Sequence, residues 1–380
     1  MQVDFLVVGA GIAGASVAYF LVPHGRTVVL ERESHPGYHS TGRSAALFSE
    51  TYGTAQVRAL SRAARPFLER PPPGFADAPI LTPRGALMLG RPGEDAAIEA
   101  GLVEMRRSAP SARRLGRDEV LAAVPVLRPE ATGAGILEPD ARDIDVHTLH
   151  QGFLRGLKAG GGELVTDAGV TAIERSAEGW TVRAGARQWR ARVLVNAAGA
   201  WADVLARLAG VRPIGLQPKR RSAFTFAPPP GVAVCDWPAV IALDESWYVK
   251  PDAGVLLGSP ANADPVEPHD VQPEELDVAI AIDRIQQATS LSIRRPLRTW
   301  AGLRSFVADG DLVGGPAPDD PAFCWVAAQG GYGIQTSAAM GEACAALARG
   351  APIPDALAAR GIDAAMLSPA RLRPGSGAAA

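Results

Sequence analysis

A glycine motif close to the N-terminus constrains the fold more than any other feature of this sequence. Gly9, Gly11 and Gly14 form the pattern G-x-G-x-x-G between an apolar run at residues 3–8 and a helical pattern at residues 12–24. In that setting the first glycine makes a tight turn, the second lets the backbone approach a pyrophosphate, and the third lets helix and strand pack closely. The N-terminus of the helix then favours the negative charge of the phosphates.

The residue after the next predicted strand extends this pattern. Residues 27–30 are again mostly β-branched, and Glu31 follows them, where a carboxylate can accept a hydrogen bond from an adenosine ribose hydroxyl. The chain therefore opens with a β-α-β unit that predicts dinucleotide binding; the alternative is a glycine-rich turn beside a surface glutamate. The unit alone does not distinguish NAD from FAD.

A loop after this unit favours FAD. Residues 36–47 take the place of the helix that an NAD-binding domain would have, and Ser40, Thr41 and Ser44 can donate hydrogen bonds to phosphates or to the flavin edge. Arg43 in the same loop is either a phosphate partner or one half of a surface ion pair.

A glycine-rich segment near the C-terminus supports the same choice. Gly330, Gly331 and Gly333 precede a helix predicted at residues 338–349. Reduced flavin carries negative charge at its N1–C2 edge, which the N-terminus of a helix would stabilise.

Three distant segments are predicted to form one parallel sheet. Besides the N-terminal unit, they are the strand at residues 193–195, followed by a helix at 202–210, and the strand at 323–328. Between them, alternating polarity, as at residues 247–257, indicates a second, antiparallel sheet. We therefore predict an α/β fold, with a discontinuous Rossmann-like FAD-binding domain and an α+β substrate domain built on a mixed or antiparallel sheet.

Composition excludes several classes of partner. The net charge is −2, from 38 basic and 40 acidic residues, which argues against nucleic-acid binding. The three cysteines are expected to be buried apolar residues, and His147 and His150 have no third ligand nearby, so no metal site is expected. No apolar run approaches the ~20 residues of a membrane helix, and the N-terminus lacks a basic signal region. We expect a cytoplasmic protein, or one bound peripherally to the inner membrane, that acts on a small molecule.

Longer motifs carry a family resemblance. The segments His39-Ser-Thr-Gly-Arg-Ser-Ala-Ala and Asn196-Ala-Ala-Gly-Ala-Trp resemble the glycine oxidase, sarcosine oxidase and D-amino acid oxidase family of flavoproteins. Within that family the chain resembles the D-arginine dehydrogenases in Gly215-Leu-Gln-Pro-Lys-Arg-Arg-Ser-Ala-Phe, in Thr299-Trp-Ala-Gly-Leu-Arg-Ser-Phe and in residues 329–341. The likeness extends from about residue 3 to residue 372.

The resemblance implies a division into domains and a set of cofactor contacts. Residues 1–78, 145–213 and 303–372 would form the FAD-binding domain, residues 79–144 and 214–302 the substrate domain, and residues 373–380 a flexible tail. FAD would be bound noncovalently, with the adenine against the backbone of Val170. The other positions that match the family's FAD contacts are Arg32, Ala45, Ala198, Gly199, Trp201, Tyr332, Ile334, Gln335 and Thr336.

The resemblance also implies the oxidation of a D-amino acid. A hydride would pass from the α-carbon to flavin N5, and water would convert the imino acid to a 2-keto acid and ammonia. Arg221, Arg304 and Tyr248 match the positions that bind the substrate carboxylate, for which guanidinium is well suited. Tyr52 matches a tyrosine on a lid, and the backbone carbonyl of Gly331 is the expected acceptor for the amino group. The final electron acceptor is expected to be quinone-like or oxygen.

Two positions depart from the D-arginine dehydrogenases. Ala86 stands in place of the glutamate that pairs with the substrate guanidinium, and Leu47 in place of an active-site histidine. Because an unpaired buried guanidinium is costly, we expect a broad or apolar side-chain preference, with Glu50 on the expected lid as the alternative source of a carboxylate. Two other functions stay open: a glycine or sarcosine oxidase that produces hydrogen peroxide, and an electron-transfer flavoprotein subunit.

Overall fold

Three sheets surrounded by helices make up residues 1–373, the part of the chain that the structure, a computed structural model, describes. The strands are β1 (Gln2–Val8), β2 (Thr27–Leu30), β3 (Leu47–Phe48), β4 (Leu81–Pro83), β5 (Ala86–Leu89), β6 (Arg113–Leu115), β7 (Gly135–Glu138), β8 (Arg142–Ile144), β9 (Glu163–Val165), β10 (Val170–Ser176), β11 (Gly179–Ala184), β12 (Arg187–Asn196), β13 (Gln217–Phe226), β14 (Ala239–Ala242), β15 (Tyr248–Asp252), β16 (Val255–Ser259), β17 (Asp264–Pro265), β18 (Arg298–Phe306), β19 (Val313–Ala317) and β20 (Asp320–Ala327). The α-helices are α1 (Ile12–Leu21), α2 (Ala55–Glu69), α3 (Asp95–Arg106), α4 (Arg117–Ala123), α5 (Val146–Ala159), α6 (Ala202–Leu208), α7 (Glu275–Ala288), α8 (Gly333–Ala348), α9 (Asp355–Ala358) and α10 (Ala364–Leu367).

The first sheet has the glycine motif at the end of its central strand. Its parallel core has the order β20-β12-β1-β2-β9, and the hairpin β10–β11 and the strand β19 extend it in the antiparallel sense. Phe5 and Val7 pack on one face with α1, α5 and α8, whereas Leu6 and Val8 pack on the other face with α6. The carboxyl ends of β1, β12 and β20 meet at one edge, where open α/β sheets bind ligands.

The second sheet is mixed. Its order is β17-β13-β16-β15-β14-β5-β7-β6, with β18 also paired to β13, and only β5 and β14 run parallel within it. Side chains alternate between its faces, as strand geometry requires. On β13, Phe224 and Phe226 pack in the core that includes α7, whereas Arg221 and Ala223 line a cavity on the opposite face. A third sheet, with the order β3-β8-β4, lies in the segments that connect the two large sheets.

The predicted fold class is confirmed, and the differences are local. The three predicted parallel segments are β1, β12 and β20, which are neighbours in one sheet. Helix α1 ends at Leu21 and continues as a 3₁₀ turn, Val22–His24, whereas α8 begins at Gly333 instead of residue 338, because the last glycine of its motif already belongs to the helix. Cys324 and Cys344 are buried as expected, but Cys235 is exposed in the loop between β13 and β14.

The domain boundaries stay predictions. Strand β18 runs through the expected boundary between residues 302 and 303 and keeps Arg304 on the second sheet. Residues 374–380 of the predicted tail lie outside the described residues. Among residues 1–373 there is no helix that is long and apolar enough to cross a membrane. The same part of the chain contains no group of three or more His, Cys, Asp or Glu side chains that could hold a metal ion.

We expect Gly14→Ala to lower the thermal unfolding temperature. A Cβ atom at residue 14 would lie 1.8 Å from the carbonyl oxygen of Gly9, so α1 would have to move away from the turn. Overpacking of this kind costs about 1–3 kcal/mol of unfolding free energy. Gly116→Ala is the control, because the nearest atom to its Cβ would be Glu119 Oε2 at 3.6 Å. Equal unfolding temperatures for the two variants in calorimetry would contradict the close packing of helix and turn.

Candidate active site

The turn after β1 is held by side chains from two other segments. Gly9 has φ +102°, and a Cβ atom there would lie 2.4 Å from the carbonyl oxygen of Ala197, so the turn requires glycine. The next N–H donates to Glu31 Oε2 at 2.7 Å, and the first N–H of α1 donates to Thr41 Oγ1 at 2.9 Å. Glu31 and Thr41 therefore fix the backbone that would approach a pyrophosphate.

A cavity of about 390 Å³ opens beside this turn, at the carboxyl ends of β1 and β2. The Arg32 guanidinium lies 4.6 Å from the centre of the Trp201 ring, which gives the cavity a cationic and aromatic wall. Its shape and its buried carboxylate suit an adenosine. The predicted cofactor residues that line it are Gly9, Gly11, Glu31, Arg32, Ser40, Thr41, Val170, Ala198, Gly199 and Trp201.

The loop after β2 is tied to the second sheet. Ser40 Oγ donates to the carbonyl oxygen of Leu303 at 2.7 Å. Arg43 donates to the carbonyl oxygen of Ala301 at 3.1 Å and forms an ion pair with Asp270. Arg43 thus lies in the wall of a cavity and forms an ion pair with Asp270, and its role as a phosphate partner stays a prediction.

A second cavity, about 130 Å³, connects the first cavity to the second sheet. The start of α8 forms one wall, and the first N–H groups of a helix have no acceptor within it. Gln329 Nε2 in the same wall is buried and has no hydrogen-bond partner in the described structure. The predicted residues that line this cavity are Gly11, Ser40, Thr41, Arg43, Ser44, Ala45, Gly199, Arg221, Tyr248, Arg304, Gly330, Gly331, Gly333 and Ile334.

These residues fit FAD. The cofactor has hydrogen-bond acceptors on its pyrophosphate and at the N1–C2 edge of its flavin ring. The walls of the first two cavities contain the N-termini of α1 and α8 and the free donor Gln329 Nε2, which could bind these acceptors. Glu31 would accept from the ribose, and the turn at Gly9 would lie against the phosphates.

Two arginines meet where the second cavity joins a third. Arg304 Nη1 donates to the Tyr52 hydroxyl at 3.1 Å, and Arg221 Nε donates to the carbonyl oxygen of Asn262. Neither guanidinium lies within 4.0 Å of a carboxylate in residues 1–373. Burial, and then the positive charge of Arg304, lower the pKa of Arg221. An anion between the two guanidinium groups would relieve their repulsion.

Gly331 lies directly against this arginine pair. A Cβ atom at residue 331 would be 2.7 Å from Arg304 Nη1, so the backbone approaches the guanidinium because no side chain intervenes. Tyr52 packs on the other side, with its ring centre 4.9 Å from that of Tyr332. Tyr248 lines the second cavity and also the third. The predicted substrate residues Arg221, Arg304, Tyr248, Tyr52 and Gly331 are therefore all brought together.

The third cavity, about 320 Å³, extends from the arginines into the second sheet. Leu47 and Ala86 both lie in its wall, as does the predicted cofactor residue Gln335. The other apolar residues of the wall include Met88, Met105, Ile136, Ala239, Ile241 and Leu243, and the charged residues other than the arginines are Glu104, Glu138, Glu245 and Lys250.

The walls of these three cavities do not include four of the predicted residues, Gly14, Glu50, Tyr332 and Thr336. Glu50 is outside the wall of the third cavity and forms an ion pair with Arg65, with 3.4 Å between Oε2 and Nη1. Thr336 is buried within α8, where its hydroxyl donates to the carbonyl oxygen of Tyr332.

Sequence reasoning missed several polar residues in the cavity walls. Among them are Gln329, Glu138, Glu245 and Lys250. A signal was available for two of them: Glu138 ends the apolar run Gly-Ile-Leu, and Lys250 follows a valine in an alternating strand. Lys250 is paired with Asp143 at 2.8 Å, so its charge in the cavity wall is compensated.

Comparison with known proteins places this geometry in a family. The family model DAO, FAD dependent oxidoreductase, matches residues 4–347. L-2-hydroxyglutarate dehydrogenase of Salmonella houtenae is 27% identical over 241 residues, which cover 59% of this chain and 54% of that protein. The match thus spans about half the length of that relative. Glycerol-3-phosphate dehydrogenase 1 of Mycobacterium tuberculosis is 25% identical over 334 residues, which cover 81% of this chain and 63% of that protein.

A solved structure shares the fold. Glycine oxidase from Geobacillus kaustophilus superposes with a TM-score of 0.81 and 21% sequence identity, over 92% of this chain and 95% of the other. The family match spans both the glycine turn and the strands that carry the two arginines. The chain therefore belongs to the DAO family of FAD-dependent oxidoreductases.

Proposed function

We propose that this protein oxidises D-amino acids at the α-carbon, with a broad side-chain preference that favours apolar groups. The observation that carries the proposal is the pair of partly buried guanidinium groups, Arg221 and Arg304, neither of which lies within 4.0 Å of a carboxylate in residues 1–373. The pair lies at the junction between the cavity that fits the flavin and a cavity large enough for a small molecule.

The arginine pair would bind the substrate carboxylate. Guanidinium presents two parallel N–H donors to a carboxylate, and the negative charge would offset the repulsion within the pair. The hydroxyl of Tyr52, already 3.1 Å from Arg304, and that of Tyr248 would complete the set of donors. A carboxylate held in this way fixes the position of the adjoining α-carbon.

The amino group would bind next to the carboxylate. The Gly331 carbonyl is the proposed acceptor, and its backbone already lies against Arg304. The positive charge of the two arginines lowers the pKa of a nearby ammonium group and so favours loss of its proton to solvent before oxidation. Bound FAD supplies the acceptor for the hydride that leaves the α-carbon. The choice of the D-enantiomer rests on the resemblance to flavoproteins that oxidise D-amino acids.

The third cavity supports an apolar side-chain preference. Ala86 and Leu47 share this wall with Met88, Met105 and Ile136. Glu50 is paired with Arg65 outside that wall, the carboxylate of Glu138 already accepts three hydrogen bonds, and Glu104 is paired with Arg58. Glu245 is the remaining carboxylate of the wall, and its negative charge acts on Arg221. At about 320 Å³ the cavity also leaves glycine or sarcosine with most of its volume unfilled, which favours larger substrates over the glycine oxidase alternative.

A 2-hydroxy acid is the second candidate substrate. The similarity to L-2-hydroxyglutarate dehydrogenase favours it, although that match covers only 59% of this chain. The same two arginines would bind the carboxylate of such a substrate, and a hydroxyl would take the place of the amino group.

An anaerobic titration tests the proposal. The purified protein is mixed with D- and L-amino acids, glycine, sarcosine and both enantiomers of 2-hydroxyglutarate, and flavin bleaching is followed by absorbance. We expect bleaching by D-amino acids, fastest with D-leucine or D-methionine. Bleaching only by a 2-hydroxy acid would support the second candidate. A bound flavin that none of these compounds bleaches would favour the electron-transfer subunit.

A second measurement identifies the final acceptor. Under air, hydrogen peroxide formed in proportion to the substrate consumed would identify an oxidase. Turnover with an artificial quinone but without peroxide would identify a dehydrogenase.

We expect Arg221→Ala to lower kcat/KM by the same factor for every substrate that has a carboxylate. Loss of a charge-assisted hydrogen bond costs about 1.5–3 kcal/mol, which corresponds to roughly 10- to 150-fold in kcat/KM. Arg298→Ala is the control, because Arg298 lies on the same strand as Arg304 but is exposed. A loss confined to one side chain would show that Arg221 contacts the side chain and not the carboxylate.

A further inference from the structure

A buried carboxylate at the end of β7 binds a segment from the other side of the substrate cavity. Glu138 is 2% exposed, and its Oε2 accepts from the hydroxyls of Ser49 at 2.7 Å and Thr51 at 2.8 Å. Its Oε1 accepts from the N–H of Glu50 at 3.1 Å. Three consecutive residues of one segment therefore donate to a single carboxylate on the second sheet.

The segment that Glu138 binds connects β3 to α2 and has no regular secondary structure. It is held from the opposite side by α8, since Gln335 accepts from the N–H of Ser49 at 3.1 Å and donates to its carbonyl oxygen at 3.3 Å. Directly after it comes Tyr52, which accepts the hydrogen bond from Arg304. The position of the tyrosine hydroxyl thus depends on two anchors, Glu138 on the second sheet and Gln335 on α8.

We propose that Glu138 is a positioning residue. It holds residues 49–51 in place, and the Tyr52 hydroxyl therefore keeps its hydrogen bond with Arg304. That bond in turn keeps Arg304 and Arg221 in the arrangement that binds a carboxylate. The proposal rests on the proposed function in one respect, because it takes the arginine pair as the carboxylate site. It adds a residue that acts through Tyr52 and Arg304 without touching the substrate.

The hydrogen bonds suit the ionised form of Glu138. All three partners donate, so a proton on the carboxyl group would remove one acceptor from the cluster. Burial raises the pKa of Glu138, although the bonds from Ser49 and Thr51 oppose this shift. Among residues 1–373 no Lys, Arg or His side chain forms an ion pair with Glu138, so its role is to accept hydrogen bonds from the three donors.

A direct role in substrate binding is the competing interpretation. Glu138 is the cross-strand neighbour of Ala86, the position at which the related enzymes carry a carboxylate for a basic substrate. Its near-complete burial and its three hydrogen bonds argue against that role, because a substrate cation would have to displace donors that the segment already supplies.

Hydrogen exchange tests the anchor without any substrate. In the oxidised holoenzyme, we expect Glu138→Gln to speed exchange of the amides of residues 49–52 by about tenfold or more, the effect of one lost charge-assisted hydrogen bond. Glu104→Gln is the matched control, because Glu104 lines the same cavity but pairs with Arg58 and Arg107. Unchanged exchange in Glu138→Gln would overturn the proposal.

Ligand binding and kinetics test the consequence for the arginine pair. Benzoate, a carboxylate that cannot be oxidised, is titrated against the holoenzyme by flavin absorbance, and we expect Glu138→Gln to raise its Kd by about tenfold. For any substrate that bleaches the flavin, we expect Glu138→Gln to raise KM by a similar factor and to change kcat by less than about twofold. A loss specific to D-arginine or D-lysine would overturn the proposal in favour of direct contact with the substrate.

A second variant, Thr51→Val, tests the proposal even if Glu138→Gln does not fold. Thr51→Val removes one donor from a half-buried position, and we expect faster exchange at residues 49–52 together with weaker benzoate binding. Combined with Glu138→Gln, its effect should be much less than additive, because both changes break the same bond. Additive effects would overturn the proposal. If exchange changes but benzoate does not bind the wild type, the anchor stands and the carboxylate site of the proposed function fails.

Discussion

The site depends on the parallel pairing of β12 with β1 on one side and with β20 on the other. Asn196 is in register with both Val8 and Trp325, so the three strands reach the same edge of the sheet although they come from distant parts of the chain. The turn at Gly9, the turn after Asn196 and the start of α8 therefore surround a single space. Asn196 is fully buried, and its side chain donates to the carbonyl oxygen of Ala202, which holds the middle turn in place.

The second sheet contributes charge to this space. On the antiparallel pair β13–β18, Arg221 is opposite Gly302 and Lys219 is opposite Arg304, which makes the two arginines diagonal neighbours on one face. Two like charges in a poorly solvated position oppose folding. Such an arrangement is typical of a binding site in which the ligand, and not the protein, provides the opposite charge.

The cofactor half of the site could be predicted from the sequence because its signals are local. The glycine motif, the adjoining strands and Glu31 lie within the first 31 residues, and their spacing follows from the geometry of one β-α-β unit. The start of α8 was misplaced only because glycine is a poor helix former, so three glycines indicated a loop.

The substrate half could not be predicted to the same depth, because it depends on strand register across the second sheet. Nothing near Glu138 in the sequence indicates that β7 pairs with β5 or that a segment 87 residues upstream supplies its donors, as the bond from Thr51 shows. Arg43 is a similar case, since its partner Asp270 is 227 residues away. The positions of Arg221 and Arg304 were expected from the family resemblance and not from spacing or periodicity.

Helix α8 gives this site a thermodynamic property that neither sheet has alone. Its first turn supplies Gly333 and Ile334 to the cavity that fits the flavin, and the next residue, Gln335, forms hydrogen bonds with Ser49 beside the third cavity. A ligand that shifts this turn at one end must shift it at the other. Free-energy linkage is reciprocal, so by whatever factor bound FAD changes the affinity for a carboxylate, a bound carboxylate changes the affinity for FAD. Where FAD and a carboxylate strengthen each other's binding, a bound carboxylate lowers the concentration of free FAD that is needed to keep the protein loaded.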